Sequence, residues 1–189
     1  MKKYLLILLS QVVFSQVAQN QNNVFYAKEF SKEISLYKAK GFVIESVLGD
    51  SNSVVNFEID PLAATSSGEL TSLVYSCDKL KKEGLLLGFY GDYWNESGVV
   101  YQGYGFKNIP VEKALELLKK IDEVKSNYDD YLSKDSDNNN VYFTFDDIKF
   151  LIYKSSSGMT IRVFWNTFDS EWQDIAFKRT KRRFEKKLK

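Results

Sequence analysis

The sequence predicts an α+β fold: mainly antiparallel β-sheet, with about two to three helices packed on one face. Two observations carry the prediction. Short alternating apolar segments recur from residue 42 onward, joined by turn-rich connectors such as Gly49-Asp50-Ser51-Asn52 and Asn95-Glu96-Ser97-Gly98. One long segment, Pro110 to about Leu132, instead repeats its apolar residues at helical spacing. Strands that arrive in hairpins pair antiparallel, and helices between them cover the sheet.

The elements follow in order. Val24 to Lys40 fits a helix, with Tyr26, Phe30, Ile34 and Tyr37 three or four apart and Gly41 as its stop. Ile34, Leu36 and Lys38 also fit a strand. Phe42 to Leu48 and Ser53 to Ile59 read as strands, and Asp60 to Gly68 as a loop of small residues. Glu69 to Cys77 is a further strand. Leu85 to Trp94 and Val99 to Lys107 form the clearest hairpin. Pro110 suits a first helical turn, and Val111, Ala114, Leu115, Leu118, Ile121 and Val124 share one stripe. Ser133 to Asn140 is polar loop. Val141 to Phe145, Ile148 to Tyr153 and Met159 to Trp165 alternate as strands. A last helix begins near Asp169 or Ser170, where Ser170 and Gln173 fit a capping box. The order strand, strand, helix occurs twice in the later chain and suggests a twice-used β-β-α unit.

Residues 1–15 read as a secretory signal of bacterial type. Met1-Lys2-Lys3 is basic, Tyr4 to Phe14 is mostly apolar, and Ser15 is a small residue at the expected cut. The run is about half the length needed to cross a bilayer. Residues 16–23 form a polar leader, and 24–189 one domain ending in a basic amphipathic helix. The expected location is exported, periplasmic or extracellular.

Composition excludes much chemistry. There is no histidine and one cysteine, Cys77. Ser-His-Asp and Cys-His sites are impossible, as are zinc sites built on His or on several thiolates. Cys77 lies in an apolar strand and reads as a buried small side chain. The net charge of +1 hides an asymmetry: residues 178–189 carry +7, which leaves −6 on the rest, or −8 once Lys2 and Lys3 depart with the signal.

Three patches are candidate sites. The hairpin gathers aromatics between glycines, so Tyr90, Asp92, Tyr93, Trp94, Tyr101 and Tyr104 could offer rings and polar groups to a flat ligand such as a sugar. Aromatics also suit strands and cores. Asp135, Asp137, Asn139 and Asp146 follow the oxygen-ligand spacing of a calcium loop, with Asn140 at the turn position that prefers glycine. Such Asp/Asn runs are also ordinary turns. Lys178, Arg179, Lys181, Arg182, Arg183, Lys186 and Lys187 form a cationic surface that could meet anionic lipid or another protein.

No cofactor is expected beyond that calcium loop. An exported acidic body makes nucleic acid an unexpected partner; a glycan or another envelope protein fits better. The sequence therefore points to a non-enzymatic binding domain of the cell envelope. The alternatives are a small carboxylate-dependent glycan or cell-wall hydrolase, and a membrane-surface or self-associating protein acting through the basic helix.

Overall fold

All strands pair antiparallel, in two sheets rather than one. The computed structural model describes residues 24–26, 32–94, 97–136, 138–156 and 158–188; the signal, the polar leader and the turn residues Asn95 and Glu96 lie outside them. The chain runs β1 (Val24–Tyr26), α1 (Lys32–Phe42), β2 (Glu58–Ala64), β3 (Leu70–Cys77), β4 (Lys82–Trp94), β5 (Val100–Pro110), α2 (Val111–Asn127), α3 (Asp129–Lys134), β6 (Asn140–Phe145), β7 (Ile148–Ser155), β8 (Gly158–Trp165), β9 (Phe168–Gln173) and α4 (Asp174–Lys187). The first sheet has the order β1-β5-β4-β3-β2, and the second β6-β7-β8-β9. A four-strand meander closed by a helix thus occurs twice, β2–β5 with α2 and β6–β9 with α4, larger than the β-β-α unit the sequence suggests.

The first sheet is covered on both faces. Leu85, Leu87 and Phe89 of β4 point into the larger core with α2, α4 and the second sheet. Leu86 points the other way, with Leu73, Tyr75, Tyr104 and Phe106, and meets Ala39, Phe42, Val43 and Val47. The run Leu85-Leu86-Leu87 is apolar without alternation because both faces are buried. Each of those leucines contributes about 1.5–3 kcal/mol of transfer free energy.

Helix α1 therefore lies on the face opposite α2 and α4. It replaces the strand expected at Phe42–Leu48. The chain passes through Gly41 and continues as a π-helical turn over Val43–Leu48. Ala39, Phe42, Val43 and Val47 lie three or four apart and present one apolar face to the sheet. A helical glycine is costly, by about 1 kcal/mol, but does not end a helix packed this way. The stop is Gly49, at φ +73°, whose N–H donates to Ile44 O at 3.0 Å.

Two further boundaries move. Strand β2 occupies Glu58–Ala64, sharing only Glu58 and Ile59 with the expected strand and running on into the expected loop. Leu62 is buried, and Pro61 is tolerated because β2 is an edge strand with a bulge between Pro61 and Ala63. Residues 168–173 are strand β9, not a helix start: Phe168, Ser170 and Trp172 are buried and alternate with more exposed neighbours. Helix α4 begins only at Asp174.

The sheets meet at a triangle of rings: Phe89 lies 5.1 Å from Trp165 and 5.9 Å from Phe168, and those two rings are 6.5 Å apart. Asp147, in the β6–β7 turn, ties this junction from outside. Its carboxylate takes a hydrogen bond from Trp165 Nε1 at 3.0 Å and an ion pair from Lys107 of β5 at 2.6 Å. The free edge of β9 is capped: Glu171 N–H donates to the Glu69 carboxylate, and Ser170 Oγ to Glu69 O. Gln173 and Ser66 close the same seam.

Candidate binding face

Among the described residues, the second sheet packs its large apolar side chains on one side. Its inner side chains, among them Phe145, Ile148, Phe150, Ile152, Ile161, Val163 and Trp172, belong to the large core. Among the described residues, the helices that touch this sheet do so from that inner side: Phe177 of α4 meets Trp172 edge-on, and Lys120 of α2 sits over Phe143. Alternation then sends the intervening side chains to the outer face.

Pairing sets their order. One row crosses the sheet as Tyr142, Leu151, Arg162 and Glu171; the next as Thr144, Lys149, Phe164 and Asp169. Tyr153 stands beyond Leu151 on β7. Tyr142 is 60 % exposed, while Leu151, Tyr153 and Phe164 are half-buried, as expected for central strands open on one side. Three rings and a leucine thus form an apolar centre, rimmed by Thr144, Lys149, Arg162, Asp169 and Glu171. Arg162 is fixed across the strands: Nε donates to Asp169 Oδ1 at 2.9 Å, and Nη2 approaches that oxygen to 2.7 Å. Lys149 and Arg162 balance Asp169 and Glu171, so the face carries no net charge.

The sequence carries a signal for this face in the apolar runs of its strands. A one-sided strand should place polar residues on its solvent face. Phe150-Leu151-Ile152-Tyr153 and Val163-Phe164-Trp165 are unbroken apolar runs. Such runs also mark strands covered on both faces, like β4, and only the tertiary arrangement separates the two cases.

The sequence-derived candidates are scattered. In the aromatic hairpin, Phe89 and Phe106 are core residues and Tyr104 is 5 % exposed. Tyr90 is half-buried, packs against the second core cluster and donates through its hydroxyl to Gln102 Oε1 at 3.1 Å; Asp92 is exposed. The side chains of Tyr93, Trp94 and Tyr101 lie outside the described residues. Tyr104 does line one end of a cleft of about 490 Å³ beneath Tyr37, Lys38 and Ile44 of the α1 segment.

The calcium-loop residues are not brought together. Asn139 and Asp135 cluster at the turn before β6, where Asn138 N and Asn139 N both donate to Asp135 O. Asp146 stands at the opposite end of that six-residue strand, in a two-residue turn at φ +51°, about 20 Å away at strand rise. Asp137 lies outside the described residues. Among the described residues no group of three or more acidic or thiol side chains is poised for a metal.

The basic helix is half committed. Phe184 is fully buried and Leu188 packs on the core, so those members of its apolar stripe face the protein, while Ile175 stays exposed. Lys178 pairs with Asp174, Lys181 with Asp122, and Lys187 with Asp60, and Arg183 donates to Leu62 O. These pairings raise the pKa of Lys178, Lys181 and Lys187. Arg179, Arg182 and Lys186 are exposed.

Among the described residues, the pKa values of two carboxyl groups, Asp147 and Asp174, shift clearly, and both shift down. Burial alone would raise Asp174, but hydrogen bonds and charge from Lys125 and Lys178 outweigh it. The same holds at Asp147, where Lys107 and the Trp165 N–H outweigh burial. Both are ion-paired structural groups, not the raised carboxylic acid that glycoside hydrolysis uses as a proton donor. The wide cleft between α2 and α4, about 680 Å³, is lined by this charged network of Asp122, Lys125, Asp174 and Lys178. Compared with known proteins, the chain matches no family model, no curated protein and no solved structure.

Proposed function

We propose that this chain is an exported, non-catalytic binding domain of the cell envelope, and that it binds through the open outer face of its second sheet. The observation that carries this reading is the group of apolar side chains, Tyr142, Leu151, Tyr153 and Phe164, on the outer face of the sheet, where Tyr142 is exposed and the other three are half-buried. Export rests on the basic-apolar-small order of residues 1–15. The absence of histidine, together with carboxyl groups paired in ionised form, supports binding over catalysis.

The test has two parts. Expression of the full chain in a bacterial host should release a periplasmic product lacking the mass of residues 1–15. The purified product should co-sediment with washed envelope fragments. Leu151→Ser with Phe164→Ser should abolish co-sedimentation without lowering the thermal midpoint by more than a few degrees. Retention of this double variant on the envelope would rule out the sheet face as the binding surface.

A further inference from the structure

The structure assigns to this face, granted that it binds at all, a neutral glycan as its ligand. The face is an open sheet surface whose four strands are adjacent in order, bordered along β9 by Ser66 and Glu69. Compact small molecules favour concave sites, so the ligand is extended. Charge narrows it further. Lys149 and Arg162 are matched by Asp169 and Glu171, and Arg162 is already held by Asp169. A polyanion needs uncompensated cations, because phosphate neutralisation drives its binding, and an anionic lipid surface makes the same demand.

Area decides against a second copy. Strands about 4.8 Å apart and outward positions about 6.7 Å apart give a face of about 390 Å². Two copies face to face would bury about 780 Å², below the roughly 1,200 Å² of a stable specific interface. A glycan has no such requirement. Pyranose rings present apolar C–H faces and hydroxyl-bearing edges. The rings of Tyr142, Tyr153 and Phe164 match the former. Thr144, Lys149, Arg162, Asp169 and Glu171 supply donors and acceptors for the latter. Tyr142 and Tyr153 stand about 8 Å apart, one strand and one row away, and Phe164 about 12 Å from Tyr142. Several sugar units can therefore lie across the face at once.

Affinity electrophoresis of the mature chain tests this directly. The gels carry hydroxyethyl cellulose, laminarin, galactomannan, dextran or arabinoxylan, with carboxymethyl cellulose as the charged control. At least one neutral gel should retard the protein severalfold. Retardation should survive a rise in salt from about 50 mM to about 500 mM, where exposed charge contacts are screened. Tyr153→Ser with Phe164→Ser should remove it, whereas Trp94→Ser in the distant hairpin should not. Retardation in none of the neutral gels overturns the glycan assignment. If envelope co-sedimentation still depends on Leu151 and Phe164, that failure belongs to the ligand class and not to the face. Sedimentation as a dimer that the same substitutions dissociate would give the face to a second copy and also overturn the assignment.

Discussion

Gly84 and Gly91 lie in the same strand and separate two explanations of the glycine-aromatic hairpin. A Cβ on Gly84 would stand 2.5 Å from Ile109 O, 2.8 Å from Tyr75 Oη and 3.1 Å from Tyr75 Cε1. The first contact is backbone of the paired strand. The second is a hydroxyl already held by Asn108 at 2.7 Å in the core. Neither can retreat without breaking a pairing, so Gly84→Ala overpacks the site. Overpacking of this kind costs about 1–3 kcal/mol, a large part of a domain stability of about 5–15 kcal/mol. A Cβ on Gly91 meets nothing within 4 Å. Gly91→Ala should therefore be neutral, or stabilising by up to about 1 kcal/mol through the lost freedom of the unfolded chain. Urea denaturation of the two variants and the parent measures both. Equal effects, or Gly91→Ala as the more damaging change, would refute the packing account of Gly84.

Three other outcomes follow. Asp147 and Asp174 have folded-state pKa values below the ordinary 3.8; their contribution is complete above the unfolded value and is lost as pH falls below about 4. An acid titration of stability should become shallower in Asp147→Asn, and an unchanged slope would contradict the latch on Lys107 and Trp165. Lys125→Met removes a cation 2.5 Å from Asp174 and 4.8 Å above the Phe177 ring, with its side chain only 11 % exposed; the loss should be about 1–3 kcal/mol. It should persist at about 0.5 M salt, whereas an exposed pair would be screened. Asp146→Val places a β-branched residue at φ +51° and should cost about 1–3 kcal/mol in a thermal melt; no loss would mean that the β6–β7 turn is not as described.

The later half of the chain was the more legible in sequence, and the reason is local. Strands β6 to β8 are rich in β-branched and aromatic residues and bounded by turn residues, their hairpins are short, and helix α2 carries a clean stripe at Ala114, Leu118 and Ile121. Tertiary context overrode local pattern elsewhere. Val43 and Val47 suit a strand by propensity, yet their spacing lets a helix cover Leu86 and Tyr104. Ser170 and Gln173 imitate a capping box, but the alternation of Phe168, Ser170 and Trp172 against the core decides the element. The open outer face was hidden for a related reason. Leu151, Tyr153 and Phe164 look like core in one dimension, and their exposure depends on which sheet face receives α2 and α4. Conversely, Phe89, Tyr104 and Phe106 look like a platform and are core.

On the proposed reading, the outer face of β6–β8 is the surface that meets the envelope. Amide hydrogen exchange of the mature chain, with and without washed envelope fragments, addresses it most directly. Binding through this face adds protection over 140–144, 149–153 and 160–164 and leaves α4 unchanged. Protection confined to the cleft under Tyr37, Ile44 and Tyr104, with those sheet amides exchanging as in the free protein, would contradict it.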